Sequence, residues 1–296
     1  MIDQLIRATA ANGGIRAVGV ITTNLTQSAR TRHKLSYLAT VALGQSMAGG
    51  LLLASNMKAK QSRLTMRIKA DGPLGGLIVD AGLDGTVRGY VENPELELPP
   101  NQKGLFDVSH GIGKYGYLHI MRDVGYGAPY TSTVELVSGE IGDDIANYLA
   151  SSEQTPSALV LGVFMGSEGV KSAGGLLIQV LPKAAKDETL VTTLESRIQS
   201  LKGFSPLLQA GKTLPQIFTE LLGDLNLNIL PQVTDLKFKC RCSFNRMMGA
   251  LKMLGKDELQ DMIEKDEGAE AICHFCNEVY RADTSQLQEI ITSMNN

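Results

Sequence analysis

The sequence predicts an α+β chain in three parts: a β-rich N-terminal domain with a long helix, a helical linker, and a small C-terminal domain. Three observations carry this reading. Short apolar runs crowd residues 15–182, parted by glycine, proline and aspartate clusters such as "ADGPLGG". Residues 183–232 switch to helical spacing, broken repeatedly by glycine and proline. All four cysteines of the 296 residues fall in the last fifth, as two close pairs.

Taken in order, "IRAVGVITTN" (15–24) reads as a strand, and a long helix is expected from about Ser28 to Asn56. Its stretch Leu35–Met57 carries no charge and is long enough to cross a bilayer. Gln45 and Ser46 at its middle, with Thr40, Gly49, Gly50 and Asn56, favour a buried helix of a soluble protein instead. Five short strands are expected next: "RLTMRIKA" (63–70), "GLIVDA" (76–81), "TVRGYVE" (86–92), "YLHIMRD" (117–123) and "YTSTVELV" (130–137). "EIGDDIANYLASSEQ" reads as an amphipathic helix ending near Ser152, with Asp143 and Asp144 as its solvated start. "SALVLGVFMG" and "SAGGLLIQVLP" read as buried strands that close a domain spanning 1–182. Strands this close, with few helices between, argue for α+β rather than alternating α/β.

Within 183–232, Leu190, Leu194, Ile198 and Leu201 recur at helical spacing, and "TLPQIFTELLGDLN" continues the pattern. Gly203, Pro206, Gly211, Pro215 and Gly223 interrupt it. A segment so broken builds no core of its own. It is expected to lie on the first domain as a docked linker of marginal stability.

Residues 233–296 form the third part. "TDLKFKC" reads as a short strand, "SFNRMMGALKMLG" as a helix capped by Ser243, and "DELQDMIEKD" as a helix capped by Asp257. "EAICHFCNEVYRA" fits a hairpin, and "DTSQLQEIITSMNN" a final helix capped by Asp283. A unit this small needs a staple.

Charge narrows the function. Residues 1–232 hold 20 basic and 20 acidic groups, whereas 233–296 hold 8 and 11. The cysteine-bearing region is therefore acidic, the wrong sign for nucleic acid. The N-terminus lacks a basic stretch followed by an apolar run, so no signal peptide is expected and the expected compartment is a reducing cytoplasm. There, clustered cysteines serve metal binding or redox sensing more often than permanent bridging.

Cys240 and Cys242 stand one residue apart, and Cys273 and Cys276 have the two-residue spacing of a zinc knuckle. On an extended backbone the first two side chains point to one face, so all four sulfurs can meet one ion. Four thiolates close a tetrahedral zinc site and leave no open position for hydrolytic chemistry. Spacing alone leaves three readings: a permanent structural zinc, a reversible switch, or coincidence. The switch reading rests on each pair being close enough to bridge internally, Cys240 with Cys242 and Cys273 with Cys276. His274 reads as an exposed spacer, and His33, His110 and His119 are scattered.

Other motifs lack context. "GIGKYG" (111–116) precedes a strand-like run where a dinucleotide site needs a helix. "AGKT" (210–213) has Pro206 where a phosphate loop needs its first glycine, and "GQSMAG" (44–49) lacks nucleophile-elbow spacing. No catalytic constellation stands out, so an enzyme is not expected.

C-x-C, about thirty residues, then C-x-x-C resembles the pattern of the thirty-three-kilodalton heat-shock chaperonin family of redox-regulated bacterial chaperones. "ADGPLGG" (70–76), "VRGYVENP" (87–94), "SSEQTPSA" (151–158) and "GGLLIQVLP" (174–182) are similar to that family's motifs and stand in its order. The resemblance covers nearly the full chain. It implies one zinc held by Cys240, Cys242, Cys273 and Cys276 in the reduced form, in a small C-terminal zinc-binding domain. It further implies that oxidants release the zinc, near-neighbour disulfides form, the linker loses structure, and apolar surface binds unfolding client proteins. No ATP is consumed, and the active form is a homodimer. The competing expectation is a constitutive zinc module for protein or nucleic-acid docking.

Overall fold

The computed structural model describes residues 2–201 and 203–294, so residue 202 of the expected linker and 295–296 of the expected last helix lie outside it. It divides into two compact units, one ending at Lys239 and one beginning at Cys240.

The first unit opens with a hairpin of β1 (Gln4–Ala10) and β2 (Ile15–Ile21), then helices α1 (Thr23–His33) and α2 (Tyr37–Ala54). Next come β3 (Arg63–Ala70), β4 (Gly76–Gly82), β5 (Thr86–Val91), α3 (Val108–Ile112), β6 (Gly116–Asp123) and β7 (Tyr130–Glu135). Helix α4 (Ile141–Ser151) leads to β8 (Ser157–Gly166) and β9 (Gly169–Val180). Helices α5 (Glu188–Gln199), α6 (Phe204–Gln209) and α7 (Leu214–Leu222) follow, with three two-residue strands, β10 (Asn228–Ile229), β11 (Thr234–Asp235) and β12 (Lys237–Phe238).

Two sheets result. The first runs β10-β1-β2-β9-β8, with β11 also on β1, and the second runs β12-β5-β4-β3-β6-β7. The described pairings are antiparallel except β12 on β5. Between the sheets lies α2, touching β2, β8 and β9 on one side and β3, β4 and β5 on the other. It is apolar enough to cross a membrane, yet 89% of it is buried inside the unit, so its hydrophobicity serves the core. Its glycines let both layers close in. A Cβ at Gly44 would sit 2.9 Å from Val163 Cγ2 of β8, and one at Gly50 would sit 2.9 Å from Val79 Cγ1 of β4.

The first sheet is apolar on both faces. Leu5, Val18, Val20 and Leu177 join the core around α2, whereas Ile6, Ala17, Leu176 and Ile178 face the other way. Helices α5 to α7 cover this second face with Leu194, Phe204, Leu208, Leu214, Ile217 and Phe218. Glycines again set the approach. A Cβ at Gly19 would lie 2.8 Å from Leu214 Cδ2, and one at Gly174 would lie 2.6 Å from Phe204 Cε1. Arg197 of α5 grips Asp224 with two hydrogen bonds, 2.7 and 2.6 Å, and donates to the Leu221 carbonyl at the end of α7.

Several expectations need correction. The long helix expected from Ser28 to Asn56 is two helices. Lys34 turns left-handed at φ +51°, and Ser36 restarts the chain by accepting from the Ala39 N–H. Strand β1 was not expected, because Arg7 breaks its apolar run; the Arg7 guanidinium donates to the Ser55 carbonyl. Asp144 is no solvated helix start. It is buried and accepts the N–H groups of Val137 and Ser138. The short strand expected in "TDLKFKC" is reduced to β11 and β12, two residues each.

Helix α1 is capped from a distance: Thr22 makes no side-chain cap, while buried Asp3 before β1 accepts from the N–H groups of Asn24 and Leu25 at 3.0 and 2.6 Å. Replacing Asp3 by alanine should cost about 1–2 kcal/mol, read as a lower urea midpoint at unchanged slope. Gly50→Val should overpack the layer between α2 and β4 and cost about 1–3 kcal/mol in the same measurement.

Candidate metal centre

The second unit has little core with which to hold itself. Its helices are α8 (Phe244–Lys252), α9 (Lys256–Lys265) and α10 (Thr284–Ser293), with a hairpin of β13 (Gly268–Ile272) and β14 (Val279–Asp283). Met247, Leu251, Leu259, Ala282, Leu287 and Ile290 are its buried core residues. Caps define its ends. Ser243 accepts from the Arg246 N–H at the start of α8, and Asp283 forms a capping box with Gln286 on α10. Asp257 is not the cap expected of it; the cap of α9 lies two residues earlier, at Gly255 with φ +94°, and Asp257 lies in its first turn, where a carboxylate favours the helix dipole.

Both cysteine pairs lie where the backbone is shaped by something other than a long helix or strand. Cys240 and Cys242 precede the cap of α8, in a segment with neither helix nor strand. Cys273 and Cys276 occupy the tip of the β13–β14 hairpin. There the Asn277 N–H donates to the Cys273 carbonyl at 2.7 Å, the Cys273 N–H to the Glu278 carbonyl at 2.9 Å, and Asn277 takes φ +57°. This tight turn aims both side chains inward from one loop.

All four sulfurs lie within 4.8 Å of one another. Cys240 Sγ is 3.7 Å from Cys273 Sγ, and Cys242 Sγ is 3.4 Å from Cys276 Sγ. Zinc bonds sulfur at about 2.3 Å, which sets tetrahedral sulfur–sulfur edges of about 3.8 Å. The cluster has that size, and four soft sulfur donors suit zinc better than a hard cation. None of the four forms a disulfide. Burial pushes the Cys273 and Cys276 thiols up, although backbone N–H groups of Phe275 and Glu278 act in the opposite sense. Without a cation these sulfurs are held as thiols, and a metal would have to expel their protons.

His274 is exposed and stands outside the sulfur cluster. His33 is buried in α1, His119 contacts Thr133 Oγ1 at 2.7 Å, and His110 lies 4.0 Å from Asp107. One participant was missed: the Tyr280 hydroxyl donates to Cys242 Sγ at 3.1 Å. That bond pushes the tyrosine's own ionisation upward. Its only sequence signal is an aromatic four residues beyond Cys276, which register alone does not aim at a sulfur.

Comparison with known proteins places the whole chain in a family. The family model described as "Hsp33 protein" matches residues 3–283. A "33 kDa chaperonin" of Rippkaea orientalis is 67% identical over 294 residues, covering 99% of this chain and 98% of that protein. The "33 kDa chaperonin" of Synechocystis sp. is 67% identical over 291 residues, covering 98% and 96%. The crystal structure of the 33 kDa chaperonin, heat shock protein 33 homologue, from Thermotoga maritima superposes with a TM-score of 0.92 at 36% identity, covering 100% of both chains.

If the sulfurs act as one donor set, Cys276→Ser should weaken metal binding by more than about 100-fold, since loss of a mere supporting contact already costs about 10–100-fold. Cobalt titration reads this directly, because sulfur-to-cobalt charge-transfer absorption reports each thiolate bound. Equal affinity and equal absorption in both proteins would remove Cys276 from the site.

Proposed function

The chain belongs to the Hsp33 protein family, and from that premise we propose that it is a redox-regulated, ATP-independent holdase. Chaperone function comes with the family; its control by oxidation is the proposal, supported by the resemblance to that family and by the clustering of the four cysteines. In the reduced state Cys240, Cys242, Cys273 and Cys276 hold one zinc ion as thiolates. The observation that carries this is the meeting of both cysteine pairs within 4.8 Å. Bound there, zinc supplies a cross-link in place of a large core. Such binding is worth about 10–16 kcal/mol at neutral pH, against the roughly 3–5 kcal/mol that a core of this size provides. The fold of residues 240–296 therefore depends on the state of its sulfurs.

Peroxide changes that state. Two thiols and one hydrogen peroxide give one disulfide and two waters, the sulfurs losing the two electrons that the O–O bond takes up. We assign the pairs as Cys240 with Cys242 and Cys273 with Cys276, and all four thiols surrender the zinc when both form. The nearest sulfurs run across the pairs, Cys240 to Cys273 and Cys242 to Cys276. Cross-pair bridges would close loops of more than thirty residues and stabilise the fold by about 4 kcal/mol. Near-neighbour bridges close rings too small to hold the domain, so they suit loss of structure.

Loss of structure in 240–296 is proposed to loosen the linker, 183–232. Chain connectivity supports this. The pairings that follow the linker, β11 on β1 and β12 on β5, stop at Phe238, two residues before Cys240. Each of these strands has only two residues, a weak hold. Once α5 to α7 lift, Leu214, Phe218 and the opposing face with Ile6, Leu176 and Ile178 become an apolar patch for unfolding client proteins. The protein then acts by binding, without catalysis, in the cytoplasm and as a homodimer. Nucleic acid is not a proposed partner, because residues 233–296 carry 8 basic against 11 acidic groups.

Zinc content and suppression of a client's thermal aggregation, followed together before and after peroxide, test the proposal. One zinc per chain and no suppression are expected when reduced, and zinc loss with suppression when oxidised; zinc retained under peroxide would leave a constitutive zinc module. Cys240→Ser should lose zinc more readily and lean toward the active state. Gly19→Val should crowd Leu214 from its seat and shift the linker toward release by about 1–3 kcal/mol, a factor of about 5–150. Faster protease nicking of 183–232 in the reduced variant is the readout.

A further inference from the structure

Of the side chains around the sulfur cluster, Tyr280 has a defined geometry and no role in the account above. It stands on β14 opposite Ala271 of β13. Its ring packs against the small core of Met247, Leu251 and Leu287, and its hydroxyl reaches Cys242 Sγ at 3.1 Å. The ring position fixes the hydroxyl, so the donor is aimed in advance. Cys273 and Cys276 receive backbone N–H groups, from Phe275 and Glu278. Those donors persist whatever the side chains are. Tyr280 is a side-chain donor, which a substitution can remove without rerouting the backbone.

We infer that the Tyr280 hydroxyl is a positioning residue for Cys242, orienting its sulfur toward the shared ion and damping its attack on oxidants. This rests on the zinc-thiolate reading of the four cysteines. A hydrogen bond donated to a thiolate draws on the lone pair that would otherwise attack an electrophile. In the reaction with peroxide, a thiolate attacks one oxygen, the O–O bond breaks, hydroxide leaves, and a sulfenic acid remains. A second thiolate then attacks that sulfur, the S–S bond forms, and hydroxide leaves again. Tyr280 acts on the first step at Cys242. It also supports the ligand from outside, and removal of such a support costs about 10–100-fold in metal affinity. Because the same ring packs in the core, the group that quiets the sulfur stays in place only while the domain is folded. Once local structure loosens, the protection goes with it, and oxidation of Cys242 speeds up after the first damage.

Tyr280→Phe deletes one oxygen and keeps the packed ring. In the full-length reduced zinc protein, isotope-coded iodoacetamide labelling followed by peptide mass spectrometry gives a rate for each cysteine. The expected result is Cys242 labelled at least about threefold faster, the other three cysteines changing less, and zinc binding about tenfold weaker in competition with a chelator. A 3-fluorotyrosine introduced at position 280, a stronger donor, should slow Cys242 instead. In cobalt-substituted protein, Tyr280→Phe should shift the sulfur-to-cobalt absorption, which a purely structural role would not move. An unchanged rate at Cys242 with zinc still bound would overturn the role of Tyr280 and leave the zinc site standing. A wild-type protein without stoichiometric zinc would overturn both. Circular dichroism and thermal melting verify that the variants fold, and the opposite responses of the two substitutions separate donor strength from packing.

Discussion

The convergence of four sulfurs within 4.8 Å is the constraint on which the C-terminal unit depends. A buried core built on Met247, Leu251, Leu259 and Leu287 is too slight to oppose chain entropy by itself. Under the proposed function, coordination supplies what packing does not. It also differs from packing in being chemically reversible: an apolar core answers to temperature and solvent, but a thiolate answers to electrophiles. Under the proposed function, a domain stabilised mainly through sulfur is one whose folding an oxidant can set. The cysteines sit in a segment with neither helix nor strand and at a hairpin tip. Each short segment presents two ligands at little backbone cost, and only the meeting of the two segments fixes the fold.

The first unit shows a matching economy in how the linker is held. Its first sheet is apolar on both faces, a pattern that calls for cover on both sides. One face is covered permanently by α2, which is buried nearly all round. The other is covered by α5 to α7, short helices interrupted at Gly203 and Gly211. Gly19 and Gly174 are the seats that let Leu214 and Phe204 approach the sheet closely. Close approach gives good dispersion contact over small area. The outer surface of these helices contributes mainly polar links, such as the Arg197–Asp224 pair at 2.6 Å, and an exposed pair of this kind adds little stability. Burial of an apolar face under short, segmented helices suits the detachment that the proposed function requires of this element.

Much of this organisation was legible beforehand, for identifiable reasons. Strands such as "RLTMRIKA" and "SALVLGVFMG" alternate or run apolar between strong turn residues, and β3 and β8 have the expected bounds. Ser243 and Asp283 sit directly before helical patterns and do cap them. The failures share a cause. Asp3, Arg7 and Asp144 are polar residues bound by partners that no pattern in the sequence names: other elements for Asp3 and Arg7, and the Val137 and Ser138 N–H groups of the preceding loop for Asp144. Lys34 breaks the long helix although lysine is a good helix former; Ser36, bound through its N–H to the Pro94 carbonyl and through its hydroxyl to the Leu96 carbonyl, holds the new start. Tyr280 was invisible for the same reason.

The sequence alone determined the strand-rich N-terminal part, the helical character of 183–232, and the gathering of all four cysteines as two close pairs near the C-terminus. These follow from periodicity, turn residues and cysteine spacing, all of them local properties of the chain. Only the tertiary structure decided that the sheet has two apolar faces with the linker on one, that α2 is a core helix between two sheets, and that a tyrosine hydroxyl rests on one sulfur. Those facts depend on residues far apart in sequence meeting in space, and pairwise contact at long range leaves no periodic trace.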